Sequence, residues 1–370
     1  MDIVPLLKRL SETASPSGYE TAVTEVIREQ WQPLVDEISL DRVGSLVALK
    51  RGQGEEPADG RRPRLLLAAH MDEIGLMVHQ LVAHPDEAGY GFLRLSSLGG
   101  VDTRHLYGQL VTVHASGTEP RQLTGVIGAL PGSLQPKGRQ GKPYGYEDLV
   151  VDVGLPYRQL QALVAVGDVI SFRQPLRELL NGRVSGKALD NRASVAAVTV
   201  CLDYLQGRRH YWDLLAVATA QEETALLGGF TSGHTQRPDA AIAIDVTFAK
   251  GPGTNDAVSF ELDGGPALGL GPNIHPGMLQ ALRDAAAALE MKVNTDPHSR
   301  HSGTDAYALQ VARAGIPTAV VSIPLRYMHT MVETVVTSDI ERAGRLLGEF
   351  ATRLESDFIE NLTAGMMDDK

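Results

Sequence analysis

The sequence predicts an α/β domain that is interrupted by an inserted β domain. A chain of 370 residues is too long for one ordinary core. Buried strand-like runs and amphipathic helical segments alternate in residues 1–74 and again in residues 184–370. Residues 75–183 instead contain short strand-like segments with few helical patterns. We therefore predict one α/β domain from residues 1–74 and 184–370, split by a β domain from residues 75–183.

The sequence of the first part of the α/β domain predicts a helix, a hairpin and a buried strand. Ser15 or Ser17 can cap a helix through roughly residues 19–35. The alternating string EISLDRVGSLVALK predicts a hairpin, and a charged surface loop follows at residues 51–63. The continuous apolar run RLLLAAH, which ends at His70, is typical of a strand buried on both faces.

The inserted part contains strand-like segments that Gly, Pro and Asp separate at about ten-residue intervals, a spacing typical of a small barrel or sandwich. The segments are GLMVHQLVA, YGFLRLSS, GQLVTVHA, LTGVIGAL, DLVVDVG and GDVISF. From residue 185 onward, helices and strands alternate again. The predicted elements there are a helix at 191–206, strands LLAVATAQ and AAIAIDV, helices HPGMLQALRDAAAALEM and TDAYALQVARAG, strand PTAVVSIP, and a final helix SDIERAGRLLGEF.

Composition excludes several classes of function. The net charge of −11 argues against nucleic acid, whose phosphates demand clustered Lys and Arg. No run of 18 uncharged apolar residues and no signal peptide are recognisable. The single cysteine, Cys201, cannot form an internal disulfide, which fits a reducing cytosol. We expect a soluble cytoplasmic protein that binds neither nucleic acid nor membrane, with the acidic runs at 55–60 and 366–370 as solvated loop and tail.

Potential metal ligands lie at strand ends or loop mouths along the chain. They are His70, Asp190, Glu223, Asp245 and His329. Ligands bind outside the carboxyl ends of strands in α/β sheets, and four predicted strands deliver His or carboxylate there. Two histidines and three carboxylates are what a pair of divalent metals needs, with one carboxylate bridging. Because Glu222 remains free as a base, the set predicts a metal-activated water and hence hydrolysis.

Three neighbouring carboxylates have more than one possible role. Asp72 is close enough in sequence to accept the second imidazole N–H of His70, although it could instead cap whatever follows the strand. Glu73 competes for the rim of the site. Asp190 fits the N-cap of the following helix, and it is predicted as a ligand because the other four need an anionic bridge.

Glu222 and Glu223 would point to opposite faces of a regular strand. Both can reach one site only if the strand ends there. One would then bind metal, while the other would hold a proton as general base and then general acid. His298 and His301 flank a Gly-Thr-Asp turn that could approach the cleft, so substrate contact stays open for both.

The strings AHMDEIG, GKALDNR, QEE, AIDVT, SGTDA and IPLRYMH occur in this order. Together they resemble the tetrahedral, dodecamer-forming aminopeptidases, a co-catalytic metallopeptidase family that includes glutamyl, leucyl, lysyl and deblocking aminopeptidases. The resemblance covers nearly the whole chain. It implies a peptidase domain with a mixed central sheet flanked by helices, interrupted by a PDZ-like β-barrel that supports oligomerisation. It also implies a homo-oligomer of twelve subunits that admits only short peptides.

The resemblance also implies a role for each candidate residue. The expected ligand sets are His70, Asp190 and Asp245 for one metal, and Asp190, Glu223 and His329 for the other. Asp72 would orient His70, and Glu222 would be the general base of an aminopeptidase. Nitrogen and oxygen ligands without thiolate favour zinc or cobalt, with manganese as a further candidate.

Three other functions stay open at this point. The same residues could serve a deacylase or carboxypeptidase of the wider dimetal superfamily. Paired carboxylates also cleave sugars, but a glycoside hydrolase leaves both histidines unexplained. A non-enzymatic scaffold that keeps a structural metal site would show no activity with any added metal.

Overall fold

The computed structural model describes residues 2–54, 60–84 and 89–362. These contain an eight-stranded mixed sheet, a closed six-stranded barrel and a three-stranded sheet, which confirms the predicted fold class. The helices are α1 (Val4–Glu12), α2 (Thr21–Trp31), α3 (Tyr157–Leu163), α4 (Leu189–Tyr204), α5 (Glu222–Ala225), α6 (Leu227–Gln236), α7 (Pro276–Ala288), α8 (Asp305–Gln310) and α9 (Thr337–Thr352). The acidic runs of the sequence, except for Gly60, lie outside the described residues.

The strands are numbered in chain order. In the first half of the chain they are β1 (Glu37–Leu40), β2 (Leu46–Lys50), β3 (Arg64–His70), β4 (Gly75–Ala83), β5 (Gly91–Leu98), β6 (Leu110–Ala115), β7 (Arg121–Ala129), β8 (Leu149–Asp152) and β9 (Val169–Phe172). The others are β10 (Arg177–Glu178), β11 (Arg183–Gly186), β12 (Asp213–Thr219), β13 (Ala240–Phe248), β14 (Ala267–Leu270), β15 (Asn294–Pro297), β16 (Thr318–Leu325) and β17 (Glu333–Val336).

The central sheet has the strand order β1-β2-β12-β3-β13-β16-β14-β15. Its four middle strands, β12, β3, β13 and β16, are parallel, so their carboxyl ends meet at one edge. Side chains of β3 enter both layers of the core: Leu65 and Leu67 on one side, Leu66 and Ala68 on the other. Helices α4 and α9 pack together on the first side, and α6 and α8 pack on the second. The run RLLLAAH is therefore a strand buried on both faces, as its composition predicts.

The contact between α4 and α9 depends on one small residue. A Cβ on Gly344 would lie 2.4 Å from the carbonyl oxygen of Ala197, so glycine permits the two helix backbones to approach closely. Asp190 lies near the start of the same helix α4.

The six segments predicted as strands in the insertion form a barrel of order β4-β5-β8-β7-β6-β9, closed by pairing of β9 with β4. The barrel strands run from Gly75 to Phe172, whereas β10 pairs with β11 and lies outside the barrel. The division into domains at residues 75–183 stays a prediction. Within the described residues, no helix is long and apolar enough to span a membrane.

Some elements differ from the sequence-based expectation. Helix α1 was not predicted, although its buried Leu6, Leu7 and Leu10 follow a helical spacing. Helix α2 begins after Glu20 rather than after a serine, yet Ser15 Oγ accepts the N–H of Val23 in its first turn at 3.1 Å. The predicted cap therefore acts from outside the helix. Helix α3 and strands β14, β15 and β17 were also missed because they are short. Helix α6 was missed because its sequence, LGGFTSGHTQ, contains three glycines, which disfavour a helix.

Candidate active site

The predicted ligands converge at the carboxyl edge of the sheet, around a cavity of about 660 Å³. Strand β3 ends at His70, which lies opposite Thr219, the last residue of the parallel strand β12. His329 follows strand β16 by four residues and adopts a left-handed backbone with φ of 60°. His70, Asp190, Glu223, Asp245 and His329 all line this cavity, and so does Glu222.

Asp190 lies between the two histidines. Its Oδ1 is 3.2 Å from Nε2 of His70, and its Oδ2 is 3.3 Å from Nε2 of His329. The residue belongs to the first turn of α4 but has non-helical angles (φ −78°, ψ 101°), and the peptide bond that follows it is cis. The N-cap position belongs to Ala188 instead, so the alternative role of Asp190 as the helix N-cap is not realised.

Asp72 contacts both His70 and the start of α5. Its Oδ1 lies 3.2 Å from Nδ1 of His70, although the angle falls short of a hydrogen bond. The same carboxylate accepts the backbone N–H groups of Glu222 and Glu223, each at 3.1 Å. Asp72 therefore both faces the imidazole and caps α5, a helix that lies about 150 residues further along the chain.

The two adjacent glutamates reach one cavity because β12 ends before them and α5 begins at Glu222. Oε2 of Glu222 lies 3.8 Å from Nε2 of His70, and Oε2 of Glu223 lies 3.6 Å from Nε2 of His329. Asp245 Oδ1 is 3.9 Å from Nε2 of His70. Asp245 lies inside β13, which extends past the predicted strand AAIAIDV to Phe248 in register with β16.

Burial and like charge dominate the electrostatics of this cluster. Burial, reinforced by Asp245 and other nearby carboxylates, raises the pKa of Glu222 to about 10. Burial also raises the pKa of Glu223 to about 8 and that of Asp245 to about 7. Asp190 is the exception: burial opposes ionisation, but hydrogen bonds from His329 and His70 lower its pKa below the usual range. The hydrogen bond to Asp190 in turn raises the pKa of His329 to about 9.

Two residues that the sequence did not single out hold His329 and Asp190 in place. Glu333, which is 2% exposed, accepts the N–H of His329 on Oε1 at 2.9 Å and the N–H of Asp190 on Oε2 at 3.0 Å. The carbonyl of Gly100, in the loop after β5, lies 3.1 Å from Nδ1 of His329. Neither residue has a local sequence signal. The contacts of Glu333 with Asp190 and of Gly100 with His329 join segments more than 100 residues apart, and the contact of Glu333 with His329 is made through the backbone N–H of the histidine.

The remaining candidates separate into two groups. Glu73 does not line the cavity: it is buried against Lys187, whose Nζ lies 2.6 Å away, and it accepts the N–H of Ser15. His298 and His301 do line the cavity, beside Asp296. This second group borders the metal-ligand candidates along the edge of the sheet.

The residues present fit metal cations. Carboxylates of Asp190, Glu222, Glu223 and Asp245 face two imidazoles, and the described residues that line the cavity include no Lys or Arg to balance them. Ligand atoms lie within 4.8 Å of one another in two groups: His70, Glu222 and Asp245, and His70, Asp190 and Glu223. Buried carboxylates without a counter-ion are costly, so divalent cations would supply the missing charge.

Comparison with known proteins gives the class of protein. The M42 glutamyl aminopeptidase family matches residues 44–346. This range covers more than half of the 370 residues, so the chain belongs to that family. It is therefore a peptide hydrolase with the fold and the edge-of-sheet cluster described above.

Individual relatives agree with this class. The chain is 33% identical to a lysyl aminopeptidase of Pyrococcus furiosus over 92% of its own length and 94% of that relative. It is similar to a crystallised TET aminopeptidase of Thaumarchaeota archaeon SCGC AB-539-E09, with a TM-score of 0.86, 29% identity and coverage of 97% and 98%. A Pyrococcus horikoshii TET1 peptidase, described as assembling into a tetrahedron or a large octahedral shell, gives a TM-score of 0.79 at 28% identity, with coverage of 95% and 100%.

Proposed function

We propose that this chain is a dinuclear metal-dependent aminopeptidase that removes N-terminal residues from short peptides. One observation carries the proposal: Asp190 directs one carboxylate oxygen to His70 and the other to His329. A carboxylate between two imidazoles is suited to bridge two cations. Asp245 and Glu223 would complete the two ligand sets, on the side of His70 and of His329 respectively.

Two divalent ions, zinc or cobalt or manganese, would polarise the scissile carbonyl and lower the pKa of water when bound. The chain itself would hold the ligands still. Asp72 faces Nδ1 of His70, and the Gly100 carbonyl accepts from Nδ1 of His329, so each imidazole presents Nε2 to the centre. Acceptors on the second nitrogen fix the tautomer and raise ligand basicity.

Glu222 would act as general base and then as general acid. Its carboxylate, whose Oε2 lies 3.8 Å from Nε2 of His70, would take a proton from the water that attacks the first peptide carbonyl. It would then deliver that proton to the leaving amine. The N–H of Glu222 is held by Asp72, which keeps the carboxylate beside His70.

The assembly and location complete the proposal. A homo-oligomer of twelve subunits would restrict access to short peptides. A similar TET1 structure described as a dodecamer supports this number, and the TET1 relative that assembles into a tetrahedron or a large octahedral shell supports a closed assembly. Leu180, 85% exposed between β10 and β11, offers an apolar contact for a second copy. Static light scattering of the purified protein measures the mass, and a monomer would contradict the assembly. A cytoplasmic location rests on the sequence features alone.

The roles of the two glutamates are tested by comparing Glu222→Gln with Glu223→Gln. The number of metal ions per chain and the turnover of aminoacyl-chromogenic substrates are measured after reconstitution with zinc, cobalt or manganese. We expect Glu222→Gln to keep two metals and lose several orders of magnitude in kcat, whereas Glu223→Gln loses metal. Glu25→Gln, an exposed change on α2, is the matched control. Near-normal activity of Glu222→Gln contradicts its role as base.

The competing functions are separated by the substrate. Activity on free-amine peptides, absent on N-acetylated peptides and abolished by chelation, supports an aminopeptidase. Preference for N-acylated substrates or for C-terminal cleavage indicates a deacylase or carboxypeptidase. Glycoside hydrolysis that survives chelation, or no activity with any metal, indicates the remaining alternatives.

A further inference from the structure

The cavity extends beyond the metal-ligand candidates into a second region, which we call the side pocket. It is lined by Thr247, Phe248, Val258, Asp296, His298 and Met328. Thr247 follows Asp245 by two residues on β13, so both side chains leave the strand on the same face. The side pocket therefore begins roughly 7 Å from Asp245, the span of two strand residues.

Asp296 is the charged group of the side pocket. It lies on the edge strand β15 with its side chain 8% exposed, and its Oδ2 accepts the hydroxyl of Thr247 at 2.8 Å. The nearest cationic candidate is Nε2 of His298 at 3.7 Å, too far for a hydrogen bond. Asp296 is thus a buried carboxylate that faces a substrate cavity without a Lys or Arg partner among the described lining residues.

Position separates Asp296 from the metal-ligand candidates. Neither group of potential ligand atoms includes it. Asp296 is thus a further carboxylate that lines the same cavity. A buried charge is stable when it is paired, so a ligand that brings a cation to Asp296 gains binding energy there.

From this arrangement we infer that the side pocket selects an N-terminal residue with a basic side chain, lysine or arginine, by an ion pair with Asp296. The inference rests on the proposed aminopeptidase function. With the first peptide carbonyl at the metal centre, the side chain of the N-terminal residue points along β13 toward Asp296. Phe248, Val258 and Met328 supply apolar walls for the methylenes of a long basic side chain, and Thr247 holds the carboxylate in place.

The wild-type protein provides the first test. Specificity constants are compared for peptides that begin with lysine, ε-acetyl-lysine or norleucine, which share a stem and differ in charge. We expect kcat/KM to be about 10- to 100-fold higher for lysine, the factor that a hydrogen bond between charged groups supplies. Equal or lower values for lysine overturn the inference.

The second test is Asp296→Asn, which keeps the shape and removes the charge. We expect the ratio of kcat/KM for the lysine peptide to kcat/KM for the norleucine peptide to fall at least tenfold. Asp284→Asn, an exposed change on α7, is the matched control. An equal loss for every peptide means that Asp296 binds the α-amine or supports the fold, and it overturns the inference.

A binding measurement keeps the inference independent of turnover. Titration calorimetry compares L-lysine with L-norleucine on the zinc-loaded wild type and on Asp296→Asn. Tighter binding of lysine that depends on Asp296 supports the pocket even if no peptide is cleaved, in which case only the proposed reaction fails. Equal affinities overturn the pocket and leave the reaction untouched.

Discussion

Glu333→Gln is expected to weaken the metal centre without any change to a proposed ligand. Each carboxylate oxygen of Glu333 accepts one backbone N–H, from His329 at 2.9 Å and from Asp190 at 3.0 Å. Glutamine keeps one acceptor oxygen and replaces the other by an NH₂ group. One of the two N–H donors then faces another donor in a buried place.

The magnitude follows from that single contact. Burial and the neighbouring Asp190 raise the pKa of Glu333 well above its usual value, so its contacts are not counted as bonds to a fixed charge. An unsatisfied buried N–H costs roughly 1–3 kcal/mol, and we expect the free energy of unfolding of the metal-free protein to fall by about that amount. Zinc affinity should fall roughly 10- to 100-fold at the site shared by Asp190 and His329, as is typical when support behind a ligand is lost.

The assay is competition for zinc with a chromogenic chelator, read beside thermal unfolding with and without zinc. Glu20→Gln is a sharp control, because Oε1 of buried Glu20 accepts the N–H groups of both Gly18 and Gln221, and glutamine can retain that oxygen. A zinc affinity of Glu333→Gln equal to that of wild type at both sites would refute the reasoning.

Three further outcomes are expected. Gly100→Ala should lower kcat at saturating zinc, because a Cβ at this position would lie 2.5 Å from Nδ1 of His329. Gly132→Ala is the control, since a Cβ there meets open space. Equal kcat values for the two variants would contradict the prediction. Asp72→Asn should weaken zinc binding roughly 10- to 100-fold in the same competition assay. The amide has one acceptor oxygen and cannot accept the N–H groups of both Glu222 and Glu223. Unchanged zinc affinity would exclude a role of Asp72 in supporting the metal centre. The melting temperature of the metal-free protein should fall as pH rises from about 5 to about 8. The pKa values of Asp245 (about 7) and Glu223 (about 8) are raised in the folded state. The folded protein therefore holds protons that the unfolded chain has already released, and it loses stability as pH rises. Scanning fluorimetry should show that zinc removes most of this trend, and a melting temperature that rises with pH would contradict the sign.

Much of the architecture could be predicted because its signals are local. The run RLLLAAH and the six barrel segments have strand periodicity or continuous apolar character, and all became strands. His70, Glu223 and His329 stand at or just after the ends of strands, where the parallel order of β12, β3, β13 and β16 gathers them. Asp190 lies instead at the start of α4, and Asp245 lies inside β13. Position at a strand end therefore accounts for only part of the cluster.

The contacts that support the cluster could not be predicted, because they depend on tertiary packing. Glu333 is an ordinary glutamate of a four-residue strand, and only the fold places it beneath Asp190 and His329. Asp296 lies on an edge strand that carries no strong strand signal. Asp72 appeared in sequence as a partner of His70, but its hydrogen bonds to the start of α5 required the pairing of β3 with β12.

The contact between Gly100 and His329 limits which barrels can be exchanged into this chain in a chimaeric protein. The acceptor for Nδ1 of His329 comes from the loop after β5, which belongs to the inserted barrel, while His329 itself follows a strand of the central sheet. A chimaera that replaces the barrel with one from another protein would need a backbone carbonyl at this point, with space above it for the imidazole. Without both, the hybrid would fold and yet present a misdirected histidine. The insertion therefore contributes a contact to the candidate active site. Exchange of barrels between relatives should preserve activity only when the new loop after β5 also offers a carbonyl to Nδ1 of His329.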